Sequence, residues 1–258
     1  DENLCDMHCQ IGPKHMAFTC RQYPDFTIAC DTYEVTGRTL SCPYVANRIV
    51  REKSKTKLIV EGKSTDEYEN EIFHIVNKCI EIAQDDSIKY RDREKAIIDY
   101  IRKEQMYLVE KFKVDEIFMT EDNKTIWDYC DTLNSLNVVT EKWPKILSQL
   151  EELEYSENDI VKFEEYLGDR EKEYENILVY FLYKHIMYGT NDGNVFQRVR
   201  FAIIATRIIF MVGLMKYIEN EEFTTEDNIK VAYIFSKEIE HDDENIDTIL
   251  EDISLGII

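Results

Sequence analysis

The cysteines of this chain are concentrated near its beginning, and they constrain the first 45 residues more than any other feature does. Five of the seven lie between residues 3 and 45: Cys5, Cys9, Cys20, Cys30 and Cys42. Three of the four prolines share this stretch: Pro13, Pro24 and Pro43. Because proline interrupts regular structure or opens a helix, we expect loops with one short helix near residues 13–20. The sequence therefore predicts an irregular, cysteine-rich segment over residues 1–45.

Three interpretations of these cysteines are open from spacing alone. Disulfides staple small secreted domains, but a chain of 258 residues can bury a core without them, and an odd total leaves one thiol unpaired. A metal or iron–sulfur site would gather thiolates from several short loops. Cysteine is also a small, often buried hydrophobic residue. The sequence contains no CxxC pair, so the spacing is not that of a zinc ribbon.

The remaining residues, 46–258, predict a body made of helices, so the fold class expected is all-α with the cysteine-rich segment packed on a multi-helix body. Only 8 glycines and 4 prolines occur in the whole chain, which argues against a turn-rich β fold. Apolar residues recur at helical spacing in a series of segments. We expect helices over residues 65–84, 91–112, 140–154, 157–188 with a break at Gly168, 195 to about 220, 224–240 and 245–255.

Residues 195–222 contain the longest apolar run, which we interpret as the central helix of the body. The run is interrupted by Arg207, and we expect its apolar portion to be too short to cross a bilayer. The sequence therefore predicts no membrane partner. The preceding GTNDGN stretch, residues 189–194, predicts a loop.

The net charge of the chain is −21, from 52 acidic and 31 basic residues. A nucleic-acid partner is not expected, because the phosphate backbone would need a basic patch against this field. An acidic surface instead favours cationic ligands, although it also serves solubility. No GxGxxG, Walker or GxSxG motif is present, so a nucleotide cofactor would have to bind by an unusual helical route.

Three phrases in the first 51 residues and two near the end resemble one known family. The first three are LCDMH, TCRQYP and LSCPYVANRIV, in this order. The later two are ENILVYFLYKHIMYGTNDGNVFQRVRFAII at 175–204 and YIFSKEIEHDDENIDTIL at 233–250. Together they are similar to the flagellin lysine-N-methylase family. The resemblance brackets nearly the whole chain, and its SKEIEH phrase is distinctive.

This resemblance implies an enzyme that methylates lysine side chains of flagellin with S-adenosylmethionine in the bacterial cytoplasm, and that is associated with an iron–sulfur cluster or another metal. Cys5, Cys20 and Cys42 match the family cysteines and are therefore the expected ligands. The family also has an upstream CxxxCC-type motif, and this chain begins after it. Its YPR and SCPE appear here as YPD and SCPY, with Asp25 and Tyr44 at the changed positions.

The same resemblance suggests the remaining site residues. Tyr23, Glu240 and His241 are the expected catalytic residues, and Arg21, beside Cys20, is the expected cofactor-binding residue. Structural roles are available to each of them, such as surface solvation for Arg21 or a favourable helix-end position for His241.

His185 lies in a strongly apolar run and is interpreted as a hydrogen-bonded core histidine. Cys79 lies on the apolar face of the helix over residues 65–84 and is interpreted as a core residue. Glu238 is expected to be free at the end of the helix over residues 224–240.

Two other function classes compete with the enzyme. The chain could be a helical protein that binds a metal or cluster without transferase activity. It could also be a helical interaction module whose enzymatic half was lost with the missing upstream segment. S-adenosylmethionine binding and mass gain on flagellin separate the enzyme from the metal-binding protein, whereas activity that returns only in a longer chain with the upstream residues would identify the interaction module.

Overall fold

The computed structural model describes residues 9–10, 12–62, 64–120 and 124–258. Helices dominate this part of the chain, so the predicted all-α body is confirmed. In chain order the elements are α1 Phe18–Gln22, β1 Asp25–Ala29, β2 Glu34–Arg38, α2 Pro43–Val50, α3 Glu67–Ala83, α4 Tyr90–Phe112, α5 Ile126–Ser135, α6 Lys142–Glu151, α7 Glu157–Leu167, α8 Glu171–Met187, α9 Gly189–Asp192, α10 Val195–Asn220, α11 Thr225–Phe235 and α12 Asp243–Leu255.

The head of the chain contains a β-hairpin where we expected loops. β1 and β2 pair antiparallel, with Ile28 opposite Val35. Both side chains are buried while their sequence neighbours are exposed, which is the period-two pattern of a half-buried strand. Gly37 lies opposite Phe26, and a Cβ at Gly37 would come within 2.5 Å of the Phe26 ring. The hairpin is therefore closed by a ring that lies across a glycine.

Most helix boundaries follow the local signals that predicted them. The Asp66 side chain accepts a hydrogen bond from the Glu69 amide at 2.9 Å, which satisfies a donor at the start of α3. Cys79 lies on the buried face of this helix, so its interpretation as a core residue is confirmed. Gly168 separates α7 from α8 with a φ of +50°, and the predicted break is confirmed. The GTNDGN stretch was predicted as a loop, but its first four residues form the short helix α9.

Helix α10 is the central helix of the body, as predicted. It packs against α8, α4, α11 and α12. Its 26 residues include an 18-residue window of mean hydropathy 1.8, so by length and composition it could span a membrane, and our expectation that it is too short was wrong. In this fold 72% of that window is buried inside the protein. Its apolar character is therefore satisfied by the surrounding helices.

Phe163 on α7 joins several parts of the body through aromatic contacts. Its side chain is fully buried. Its ring centroid lies 5.1 Å from that of Phe210, 5.3 Å from Tyr217 and 5.8 Å from Phe223. Such pairs add specific aromatic attraction to the burial of a large apolar area. This cluster fixes α7 against α10 and against the segment that leads into α11.

Replacing Phe163 with alanine should lower the free energy of unfolding by roughly 3–5 kcal/mol, because a large ring is removed from a site where its neighbours cannot fully collapse. Urea denaturation followed by circular dichroism measures this. Phe118→Ala is the matched control, since that side chain is 75% exposed and its loss should change stability by at most about 0.5 kcal/mol. Equal effects of the two changes would contradict the assigned core.

Candidate functional site

Helix α8 carries a stripe of polar side chains through a largely apolar environment. Asn176, Tyr180 and Lys184 are four residues apart, so they lie on one face of the helix. All three residues are buried. Buried polar groups need hydrogen-bond partners or a ligand, because leaving water otherwise costs free energy. The stripe therefore indicates a hydrogen-bond network or a ligand site on this face of α8.

The stripe ends at the fully buried carboxylate of Glu240. Lys184 Nζ lies 2.9 Å from Glu240 Oε1, and the Tyr180 hydroxyl donates to the same carboxylate at 3.0 Å. His185 Nε2 lies 3.0 Å from Oε1 and donates, since an ionised carboxylate only accepts. The Ser236 hydroxyl donates to the second oxygen, Oε2. We call these five residues the Glu240 network. In it Oε1 accepts from Lys184, Tyr180 and His185, and Oε2 accepts from Ser236.

Ser236 and Glu240 belong to a single π-helical turn, Ser236–Glu240, that follows α11. A π turn is wider than an α turn and commonly occurs at functional sites. We expected α-helix through to residue 240. The wider turn directs Glu238, Ile239 and Glu240 inward together, and all three residues are buried.

The ionisation of the Glu240 network follows from burial and mutual contact. Burial alone would raise the pKa of Glu240, but the Lys184 ammonium and the hydrogen bonds of His185 and Ser236 outweigh it and lower this pKa to about 2. Burial lowers the pKa of His185 to about 4, so its ring is neutral at pH 7. Burial opposes the charge on Lys184, but the Glu240 carboxylate raises the pKa of that amine above its ordinary value. The network therefore holds one anion and one cation.

A cleft of about 890 Å³ adjoins this network at Tyr180, the member of the network that lines it. Its walls are β2, α2, the extended residues 56–61 and α8, and the rings of Phe26, Tyr44 and Tyr183 line it. Asn176 and Tyr180 also line it, which connects the cleft to the Glu240 network. The volume falls in the usual range of small-molecule sites.

Asn176 lines the cleft and carries a buried acceptor that no described residue uses. Its Nδ2 donates to the carbonyl oxygens of Val50 at 3.3 Å and Glu52 at 2.9 Å. Its Oδ1 is buried and has no hydrogen-bond partner within the described part of the chain. A buried amide oxygen left without a donor is costly.

The cysteine-rich head is attached to the network through one loop, residues 39–42. The Leu40 amide donates to the Tyr180 hydroxyl at 3.1 Å, so Tyr180 bridges the head and Glu240. The Tyr23 hydroxyl donates to the Ser41 carbonyl oxygen at 3.0 Å. Burial raises the pKa of Tyr23, and the nearby Cys42 thiol contributes in the same direction. Tyr23 thus contacts this loop directly, and Glu240 contacts Tyr180, which holds the loop. These are two of the three predicted catalytic residues.

The other predicted residues lie elsewhere. His241 follows Glu240 directly, but it is exposed on the surface. Arg21 is exposed on α1, away from the residues that line the cleft. We also expected Glu238 to be free at the end of its helix, and that expectation was wrong. Glu238 is buried and accepts hydrogen bonds from the amides of Val139 at 2.8 Å and Thr140 at 2.9 Å, so it fixes the start of α6.

The described cysteines do not by themselves supply a metal site. Cys20 is exposed on α1 and Cys42 is half-buried at the start of α2, whereas Cys5 lies outside the described residues. Among the residues whose positions are described, no group of three or more His, Cys, Asp or Glu side chains could hold a metal ion. The six described cysteines are free thiols. The ligand set of Cys5, Cys20 and Cys42 therefore stays a prediction.

Comparison with protein families now adds to this geometry. The model of the FliB lysine N-methylase C-terminal domain matches residues 77–255, which is more than half of the chain. The chain belongs to the FliB lysine N-methylase family. The match includes the polar stripe of α8 and the whole π turn with Glu240, while the cysteine-rich head lies outside it. Comparisons with curated proteins and with solved structures gave no match.

Sequence reasoning missed Asn176, Tyr180 and Lys184 as members of this site in the FliB family chain. It interpreted His185 as a hydrogen-bonded core residue, and the buried contact with Glu240 confirms that. The available signal was the spacing of three polar side chains, four residues apart, within a helix that is otherwise apolar on nearly all sides. Polar residues at core positions indicate a network or a ligand.

Glu240→Gln should destabilise the protein by roughly 3–5 kcal/mol, because it leaves the Lys184 ammonium buried without its anion. Glu240→Gln combined with Lys184→Met removes both charges and should recover much of this loss. Chemical denaturation measures both variants, with Glu251→Gln on the exposed side of α12 as the control. A double variant no more stable than the single one would contradict a buried ion pair.

Because the buried His185 ring is neutral, the free energy of unfolding should decrease as the pH falls. Its pKa is about 4 in the folded protein against an ordinary 6.5, so the unfolded chain takes up the proton first as pH falls. This contribution is complete above pH 6.5 and is lost toward pH 4. Between about pH 7.5 and 5 the free energy of unfolding of the wild type should fall by about 2 kcal/mol because of this group. His185→Gln should abolish that part of the pH dependence. Urea midpoints at both pH values measure this, and His74→Gln at an exposed position on α3 should retain the wild-type dependence.

Proposed function

We propose that this protein transfers methyl groups from S-adenosylmethionine to lysine side chains of flagellin in the cytoplasm, and that the cleft beside the Glu240 network holds the reacting groups. The observation that carries the proposal is the family match over residues 77–255, which includes the floor of the cleft, Asn176 and Tyr180. The name of the matched family states lysine N-methylation.

Methyl transfer to nitrogen needs a neutral amine, because an ammonium has no lone pair. Lysine has an ordinary pKa of about 10.4, so desolvation or a neighbouring group must favour loss of its proton. S-adenosylmethionine supplies a methyl group on a positively charged sulfur. The amine lone pair forms the new N–C bond while the C–S bond breaks and its electron pair stays on sulfur. The proton leaves the amine for solvent, so charge and atoms balance.

The cleft offers features that suit these groups. The rings of Phe26, Tyr44 and Tyr183 line it, and aromatic faces attract organic cations such as a sulfonium. Glu34 and Glu61 line the same cleft and favour positive charge. Asn176 lines the cleft, and its buried Oδ1, which lacks a donor among the described residues, would accept a hydrogen bond from an amino or hydroxyl group of the cofactor once the side chain turns toward the cleft. Orientation of the two reactants is the main contribution that such a site makes to an in-line transfer.

Glu240 acts in this proposal as a positioning residue. Its pKa of about 2 and its full set of hydrogen bonds make it a poor proton acceptor at neutral pH. It holds the Tyr180 hydroxyl, which in turn holds the Leu40 amide, so it fixes the floor of the cleft relative to the head. Catalytic roles for Tyr23 and His241, cofactor binding by Arg21, and a cluster held by Cys5, Cys20 and Cys42 stay predictions from the family resemblance, and no step above depends on them.

Calorimetry with S-adenosylmethionine and mass spectrometry of flagellin test the proposal. Wild-type protein should bind the cofactor and add methyl groups to flagellin lysines. Asn176→Leu should weaken cofactor affinity about tenfold, which is the loss of one hydrogen bond worth about 1.4 kcal/mol.

Asn228→Leu is a matched control for that change. Asn228 is also fully buried, donates through Nδ2 to Glu173 at 2.9 Å and has an Oδ1 with no partner among the described residues, but it does not line the cleft. Asn228→Leu should lower the free energy of unfolding about as much as Asn176→Leu does, but it should leave the affinity for S-adenosylmethionine unchanged. No cofactor heat and no mass gain with wild-type protein would overturn the function. Unchanged affinity of Asn176→Leu would overturn only the placement.

A further inference from the structure

The outer edge of β2 carries backbone groups that do not pair with β1. The Thr39 amide donates to the Pro24 carbonyl oxygen at 2.8 Å, and the Cys30 amide donates to that of Tyr33 at 3.0 Å. These two pairs lie at the ends of the ladder. Because hydrogen-bonded and non-hydrogen-bonded pairs alternate in an antiparallel ladder, the residues of β2 whose backbone groups point away from β1 follow from the register. They are Glu34, Thr36 and Arg38.

This edge faces the cleft. The same three residues of β2 line it. The Tyr183 hydroxyl, from the α8 side of the cleft, donates to the Thr36 carbonyl oxygen at 2.8 Å, which confirms the direction in which that carbonyl points. The facing wall is residues 56–61, which are extended without regular secondary structure and whose Thr56 is held on both its amide and its carbonyl by Gln84. The cleft is thus bounded by two extended stretches of backbone.

We propose that an extended, lysine-bearing segment of the substrate binds in this cleft as a third strand on the outer edge of β2, where the Thr36 carbonyl oxygen already accepts from Tyr183 but the outward amides are not paired with β1. Exposed strand edges are templates for another strand, and strand addition uses backbone hydrogen bonds for affinity and alternate side chains for specificity. Alternate side chains of the added strand point toward the body, where Tyr180 and Asn176 form the floor. The proposal rests on the proposed function, because it names how the lysine of that reaction is presented.

The charge of the protein fits this occupant. The net charge of −21 attracts a lysine-bearing segment, and Glu34 stands on the edge strand itself. The cleft also contains Arg38, Arg48 and Lys57. Arg38 is paired with Asp25 at 3.1 Å, and Arg48 lies near the Glu52 carboxylate, so these two bases are balanced by neighbours. The outer edge of β1 is not among the residues that line the cleft.

Thr36 and Thr27 provide a matched pair for the test. They are direct cross-strand partners, both exposed, and each directs its amide hydrogen outward, Thr36 toward the cleft and Thr27 toward the opposite edge. Proline has no N–H and is tolerated at strand edges, so either change removes one outward donor without removing a hydrogen bond of the hairpin. Circular dichroism and thermal melting check that both variants fold alike.

Binding is measured by calorimetry with flagellin and with synthetic peptides that span its lysines, in the absence of cofactor. Thr36→Pro should weaken binding about tenfold, whereas Thr27→Pro should stay within about twofold of wild type. A second series uses peptides with single backbone N-methyl groups. Affinity should fall at alternate positions on either side of the lysine and be retained at those between.

The outcomes separate this proposal from the proposed function. Flagellin binding that Thr36→Pro weakens and Thr27→Pro retains supports strand addition, even where wild-type protein adds no methyl group and the proposed function fails. Equal binding by the two variants, absence of flagellin binding by wild type, or uniform tolerance of N-methyl groups would overturn strand addition. A wild-type dimer in sedimentation that Thr36→Pro dissociates would also overturn it, since β2 would then pair with a second copy of the chain.

Discussion

The buried ion pair between Glu240 and Lys184 is the interaction on which the arrangement of this protein depends. Taking both charges out of water is costly, and it is tolerated only where geometry and additional hydrogen bonds satisfy every group. Tyr180, His185 and Ser236 supply those hydrogen bonds. They come from α8 and from the π turn after α11, and Tyr180 also holds the head through Leu40. Three parts of the chain must therefore dock together before the charges are satisfied.

This arrangement assigns separate tasks to neighbouring groups. The Glu240 network is saturated and holds its charges at neutral pH, so it sets the position of Tyr180 and leaves proton uptake to other groups. The cleft has aromatic walls, and Asn176, which lines it, carries a buried Oδ1 without a donor among the described residues. A reaction that depends mainly on orienting an amine against a methyl group needs a rigid floor and an accommodating cavity. The polar stripe of α8 connects the two.

The sequence predicted helices well where periodicity and capping residues agree with the pattern of burial. It predicted structure less well where contacts between distant parts of the chain determine the local conformation. The apolar face of α3 and the break at Gly168 follow from periodicity and glycine geometry, and both were predicted. The hairpin was missed, because its two strands of five residues each rely on Phe26 lying over Gly37. The two residues are direct partners in the ladder but are separated along the sequence, so local signals do not show the contact. Glu238 was expected at a free helix end, but the π turn buries it against the amides before α6.

The candidate site was predictable only in part, for a related reason. Resemblance identified Glu240, but a carboxylate in an EIEH phrase does not show whether it faces solvent or a lysine, and its neighbour His241 is indeed on the surface. The environment of Glu240 depends on which face of α8 packs against it. The four-residue spacing of Asn176, Tyr180 and Lys184 indicates that this face is polar. Phe26 completes the connection, since its ring lies 5.3 Å from the Lys184 nitrogen and also lines the cleft. The hairpin therefore covers the buried Lys184 ammonium with Phe26 of β1 and presents the outer backbone edge of β2 to the cleft. Because Phe26 packs on Lys184, the position of that edge depends on the same ion pair.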